Sequence, residues 1–119
     1  KCSSCHVPSY ITSSHPIAAL TNQKIFPYSD FLLHDMGDGL ADNRTEFDAN
    51  GQEWRTPPLW GLGLVKIVNS KTSFLHDGRA STIEEAILWH GGEAEKSQKD
   101  YLKLSKQERD QLIFFLNSL

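Results

Sequence analysis

The chain has 119 residues, a formal net charge of −3 at pH 7 and 39% hydrophobic residues. That length suits one domain with a modest core. The mild acidity speaks against nucleic acid or an anionic membrane as partner, and no apolar run approaches the roughly 20 residues that span a bilayer.

Residues 2 to 6 read Cys2-Ser3-Ser4-Cys5-His6, the spacing C-x-x-C-H. Two thiols one helical turn apart can add across the two vinyl groups of one porphyrin. The adjacent His then offers a ring nitrogen to the iron, so the motif reads as a covalent haem c attachment site: Cys2 and Cys5 for the thioethers, His6 as proximal ligand. Three rivals exist. A structural zinc site wants four ligands, and both cysteines of the chain are already in this motif, with no His-x3-5-His pair to complete a Cys2His2 set. A thioredoxin-type redox pair follows a strand in a βαβ unit, and no such pattern is visible here. A disulfide across two residues would close a small, strained ring.

Residues 7 to 30 carry turn signals at Pro8, Ser13-Ser14, Pro16 and Pro27, with one short helical turn expected at Ile17 to Leu20. Residues 34 to 57 are rich in Asp, Gly and Asn and read as a surface loop or chain of turns. Pro57-Pro58-Leu59-Trp60-Gly61 reads as a rigid, buried corner. Thr82 with Glu85, and Ser105 with Glu108, are capping boxes. The first opens a run from Ile83 to His90 that Gly91-Gly92 stops, with Ile83, Ala86, Ile87 and His90 on one face. The second opens a helix to Leu119 with a stripe of Leu112, Phe115, Leu116 and Leu119. No strand pattern stands out. The expected fold is therefore mostly α: one cytochrome c-like helical domain over residues 1–119, with long loops wrapped around a covalent haem.

The second axial position decides potential and chemistry, because Met raises the potential, a second His lowers it and an empty site admits small ligands. Met36, the sole Met, lies in a loop after the haem motif; the other candidates are His15, His34, His76 and His90. His15 precedes Pro16 in a polar loop and is expected to be exposed. His34 is too close to Met36 to share an iron with it. His76 sits in a turn-like segment, and His90 ends an apolar helix face. For the haem propionates, Arg55 and Arg79 are the candidate donors; Trp54, Trp60 and Trp89 are candidates to line the haem or donate an indole N–H. Arg55 is the best of these five, since guanidinium suits carboxylate. Glu93 and Glu95 read as surface carboxylates.

Four stretches in order carry a resemblance: Phe26-Pro27-Tyr28-Ser29-Asp30-Phe31-Leu32-Leu33-His34-Asp35-Met36-Gly37, Arg55-Thr56-Pro57-Pro58-Leu59-Trp60-Gly61, Leu75-His76-Asp77-Gly78-Arg79-Ala80, and Trp89-His90-Gly91-Gly92-Glu93-Ala94. They resemble the di-haem oxidoreductase family, whose members are often labelled thiol oxidoreductases, over nearly the whole chain. That family is similar in turn to bacterial di-haem cytochrome c peroxidases. In those peroxidases the distal ligand of the C-terminal haem follows the His of His-Asp-Gly at a set spacing. The same spacing counted on from His76 lands on His90. The resemblance thus implies a His6/His90 haem, with Met36 the alternative and His76 a supporting residue. The peroxidases also hold calcium between their domains, but Lys71-Thr72-Ser73 lacks the matching Thr-x-Pro pattern, so that metal is not carried over.

Family members carry two haem motifs and this sequence has one, so the resemblance implies the C-terminal haem domain of a longer secreted precursor. Its partner would be a redox protein or a second haem domain of the same precursor. Its place would be the periplasm or elsewhere outside the cytoplasm, where c-type haem is attached. Two functions compete. One is an electron-transfer module with a six-coordinate haem; the other is a peroxidase or thiol-type oxidoreductase with a displaceable distal ligand, for which His76 and Asp77 would be the acid–base candidates. Nothing in the residues themselves points to thiol chemistry.

Overall fold

The computed structural model describes all residues, 1–119. It corrects the expectation of a mostly-α, cytochrome c-like domain: 37% of residues are helical, with 3-10 turns included, and 12% lie in strands or bridges. The physical reason lies in the punctuation. Pro, Gly, Asp and Asn cut the chain up to Ala80 into short apolar pieces that cannot sustain a helical stripe. Those pieces satisfy their backbone groups as small hairpins and 3-10 turns instead.

β1 (Tyr10–Ile11) pairs antiparallel with β2 (Lys24–Ile25), Tyr10 opposite Ile25. The helical turn expected near Ile17 is a 3-10 turn at Ala18–Leu20. β3 (Leu33–Asp35) pairs antiparallel with β4 (Glu53–Arg55), with His34 opposite Trp54. This second hairpin closes the Asp/Gly-rich stretch, whose turns are built by short side chains reaching forward. Asp35, Asp42 and Asn50 each accept the amide of the residue two positions on, at 2.7 Å, 2.9 Å and 2.8 Å.

The helices are α1 (Val65–Val68), α2 (Ile83–Leu88), α3 (Glu95–Leu102) and α4 (Lys106–Leu116). Ser105 and Glu108 form the full capping box at the start of α4. Thr82 caps α2 by accepting the Glu85 amide, but the Glu85 carboxylate reaches back to the Ser81 amide and hydroxyl, not to Thr82. α2 stops at Leu88, so His90 lies just past its end.

The buried core is thin: Pro27, Ser29, Leu40, Thr56, Ala80 and Tyr101. The expected buried corner is not one, since Pro57 and Trp60 are exposed and only the preceding Thr56 is buried. The buried Ser29 hydroxyl donates to the Thr56 carbonyl at 2.7 Å and accepts the Phe31 amide at 2.9 Å. The Leu59 amide reaches the Pro27 carbonyl at 3.1 Å. Residues 27 to 31 are thereby pinned against 56 to 59, and this strap carries the backbone carbonyl that meets His6. The radius of gyration is 15.7 Å, against about 13.5 Å for a compact domain of this length.

Candidate haem site

Cys2–Ser4 forms a single 3-10 turn, and the His6 amide closes it on the Cys2 carbonyl at 2.9 Å. Both cysteines are free thiols, Cys2 exposed and Cys5 half-buried. The C-x-x-C-H motif is thus folded as one turn, with its two sulfurs unbonded to each other.

His6 and His90, from opposite ends of the sequence, face each other with ring centroids 6.5 Å apart and planes inclined by 50°. The Nδ1 of His6 donates to the Tyr28 carbonyl at 2.9 Å, and the Nδ1 of His90 donates to the Ala86 carbonyl at 2.8 Å. Each ring is held in the tautomer that keeps Nε2 as a lone-pair donor, the second-sphere arrangement of metal-ligating histidines. Burial is the main force that holds His6 below its ordinary pKa of 6.5; the Tyr28 carbonyl opposes it and nearby His90 adds to it. Burial thus favours the neutral ring, the form that binds a metal.

The distance can be tested against a shared ion. Two imidazoles that each held one ion at a bond of about 2.0 Å would have ring centres about 6 Å apart. The observed 6.5 Å is of that size, and with each Nδ1 on a carbonyl the donor set suits an iron that His6 and His90 would hold.

A second cluster adjoins this pair. His34 on β3 donates from Nε2 to Asp30 at 2.8 Å and from Nδ1 to Glu93 at 2.9 Å, with the Cys5 sulfur 3.8 Å from Nδ1. The Glu93 bond is the largest cause holding His34 above its usual pKa; burial works against it, and Asp30 reinforces it. At Asp30 burial pushes upward, but the Leu32 amide, His34 and Thr56 together outweigh it, so the carboxyl lies below its usual range. Glu93 is lowered by His34 and then by the Asp35 amide. Burial raises the Cys5 thiol. Cys5, Asp30 and His34 bring ligand-type atoms within 4.8 Å of one another. Even so, Asp30 and Cys5 meet opposite nitrogens of the same ring. The cluster is a histidine hydrogen-bonded at both ring nitrogens, not the four-ligand set of a structural zinc.

The other sequence candidates have their own partners or face solvent. Arg55 is exposed on β4. Trp60 is 61% exposed, and its indole N–H is taken by the Phe26 carbonyl at 2.7 Å. The Met36 backbone lies against Gly91, next to His90. His76 stacks on Trp54 at 3.6 Å between centroids, and Trp54 donates to the Leu40 carbonyl. Arg79 lies over the Trp89 ring and is paired with Asp77. His15 is exposed, and Glu95 pairs with Lys99 on the surface. Glu93 does more than a surface carboxylate. Tyr28 and Ala86 act through backbone carbonyls, which leave no mark in a sequence.

A family model described as "Di-haem oxidoreductase, putative peroxidase" matches residues 1–119, the whole chain. The chain belongs to that family. For a di-haem oxidoreductase, the pairing of a C-x-x-C-H turn with a facing, tautomer-fixed histidine is the chemically telling part of the structure. No curated protein and no solved structure matches the chain. No helix is long and apolar enough to cross a membrane.

Proposed function

We propose that this chain is a haem c domain that relays single electrons within a di-haem oxidoreductase. Cys2 and Cys5 would hold the porphyrin through thioethers, and His6 and His90 would each offer the iron a nitrogen. The observation that carries this reading is the 6.5 Å spacing of two rings whose Nδ1 atoms are both committed to carbonyls. The bound haem supplies an iron that gains and loses one electron. The protein's part is to keep both ligands neutral, oriented and in place, so that little rearranges when the charge changes. His90 is well seated for this. A Cβ on Gly91 would lie 2.9 Å from the Met36 carbonyl oxygen, and one on Gly92 only 2.2 Å from that of Asp35. Such close backbone packing favours a fixed ligand and a relay over a site that opens to peroxide. The thin core and the exposed apolar side chains suit a chain that folds around a large apolar group. The partner is then a redox protein or the family's second haem domain, and the setting lies outside the cytoplasm, where haem c is attached.

The test is to express the protein with haem-maturation machinery and to take the pyridine haemochrome and a peroxide-consumption assay side by side. A c-type haemochrome, reversible reduction and no peroxide turnover by this domain are expected. Absence of covalent haem would contradict the attachment. Peroxide turnover that requires these residues would favour the alternative, a peroxidase with a displaceable His90.

A further inference from the structure

His34 occupies the point where the two halves of the candidate haem site meet. On one side, residues 28 to 30 serve the His6 segment: the Tyr28 carbonyl accepts from His6 at 2.9 Å, and the Ser29 amide donates to the Val7 carbonyl at 3.1 Å. Asp30, next in line, accepts from His34 Nε2 at 2.8 Å. On the other side, His34 Nδ1 donates to Glu93 Oε2 at 2.9 Å, and Glu93 Oε1 accepts the Asp35 amide at 3.0 Å. Glu93 stands three residues beyond His90, across the two glycines packed against the end of β3. Hydrogen bonds, joined through the backbone of residues 28 to 30, therefore link one imidazole to the turn that carries the other.

We propose that His34 is a positioning residue, a doubly bonded brace between Asp30 and Glu93 that fixes the His90 turn opposite His6. The proposal rests on the haem reading above. The residue type follows from the task. Two ionised carboxylates face opposite edges of one flat ring, and only a side chain with a rigid donor at each edge can bond both at once. The resulting N–H···carboxylate bonds are charge-assisted and roughly twice as strong as neutral ones. A glutamine at this position has its donor and acceptor on one terminal amide, so at least one carboxylate would be left facing an oxygen or nothing.

The test uses haem-loaded protein, with mass spectrometry of the peptide holding Cys2 and Cys5 to establish that haem is attached. Two readouts follow: the low-spin electron paramagnetic resonance lines assigned to this haem by their loss in His90→Ala, and the rate at which cyanide replaces the distal ligand. His34→Gln and Glu93→Gln should keep the haem but shift those lines. Both should admit cyanide about tenfold faster or more, the factor expected from losing one charge-assisted hydrogen bond. Glu108→Gln, at the distant start of α4, should change neither readout. Unshifted lines, with cyanide rates within about twofold of wild type, would overturn the brace. So would loss of haem from both glutamine variants while Glu108→Gln loads normally, since that would make the network a folding element only. A wild-type peptide without haem mass would instead remove the haem reading and the brace with it.

Discussion

At single residues, the candidate haem site depends on positions that carry no reactive group. Tyr28 takes a left-handed backbone (φ 52°), a conformation that costs a non-glycine residue about 1–2 kcal/mol, and its carbonyl is the one that fixes the His6 tautomer. Gly92 also has a positive φ, 50°, and lies where a Cβ would overlap the Asp35 carbonyl. Gly61 has φ 76° but open space around it. Gly61→Ala should therefore cost only the backbone strain, about 1 kcal/mol. Gly92→Ala adds a backbone overlap that only displacement of the His90 turn can relieve, and should cost about 3 kcal/mol or more. Thermal unfolding of the two variants checks the difference, and equal losses would mean that the turn is not seated as described. The C-x-x-C-H motif was legible as a candidate from its own spacing, whereas His90 was singled out among five possible ligands only by the family resemblance. Glu93 read as a surface charge, since its partner His34 is remote in sequence and nothing local announces the pairing.

Among the elements, α4 keeps the capping box and the apolar stripe that the sequence predicts, but it ends at Leu116, short of the expected Leu119. Phe115 on that stripe meets the Tyr28 ring edge-on at 5.7 Å. Ser105→Ala should lower stability by about 1 kcal/mol. The Ser105 hydroxyl, and then its amide, hold the Glu108 carboxyl below its usual value of 4.5. The Ser81 amide, followed by the Ser81 hydroxyl, does the same for Glu85 at α2. A lowered carboxyl stabilises the fold above its unfolded pKa and stops doing so as pH falls through its folded value. Both caps should therefore weaken on acidification below about pH 4.5, the ordinary value for a glutamate. Urea unfolding across pH 3 to 6 should show that slope reduced in Glu108→Gln; an unchanged slope would place the acid sensitivity elsewhere. The hairpins were not legible. β1 and β2 have two residues each, and β3 and β4 three, too few for an alternating pattern to register. They exist because tertiary contacts hold their ends together. α3 was missed for a different reason: its sequence Glu95 to Leu102 is mostly polar, and its one buried side chain, Tyr101, is fixed by Glu84 of α2 at 2.8 Å.

Taken as a whole molecule, the fold has a small core for its length and a wide spread of exposed apolar side chains, Phe47, Ile67, Val68 and Phe114 among them. Composition gave no hint of this, because it counts hydrophobic residues without saying what they pack against. On the proposed reading, a domain built this way should depend on bound haem for much of its stability. A Cys2→Ala, Cys5→Ala protein, which cannot form the thioethers, should lose at least about 3 kcal/mol, a fall in Tm of roughly 10 °C or more. An unchanged Tm would mean that the chain is self-sufficient without the group. The most direct measurement of the central claim is the ferric optical spectrum of haem-loaded His90→Ala and Met36→Leu beside wild type. The account predicts a low-spin haem in wild type and in Met36→Leu, and conversion to a high-spin form in His90→Ala. Low-spin bands that survive in His90→Ala and vanish in Met36→Leu would contradict it.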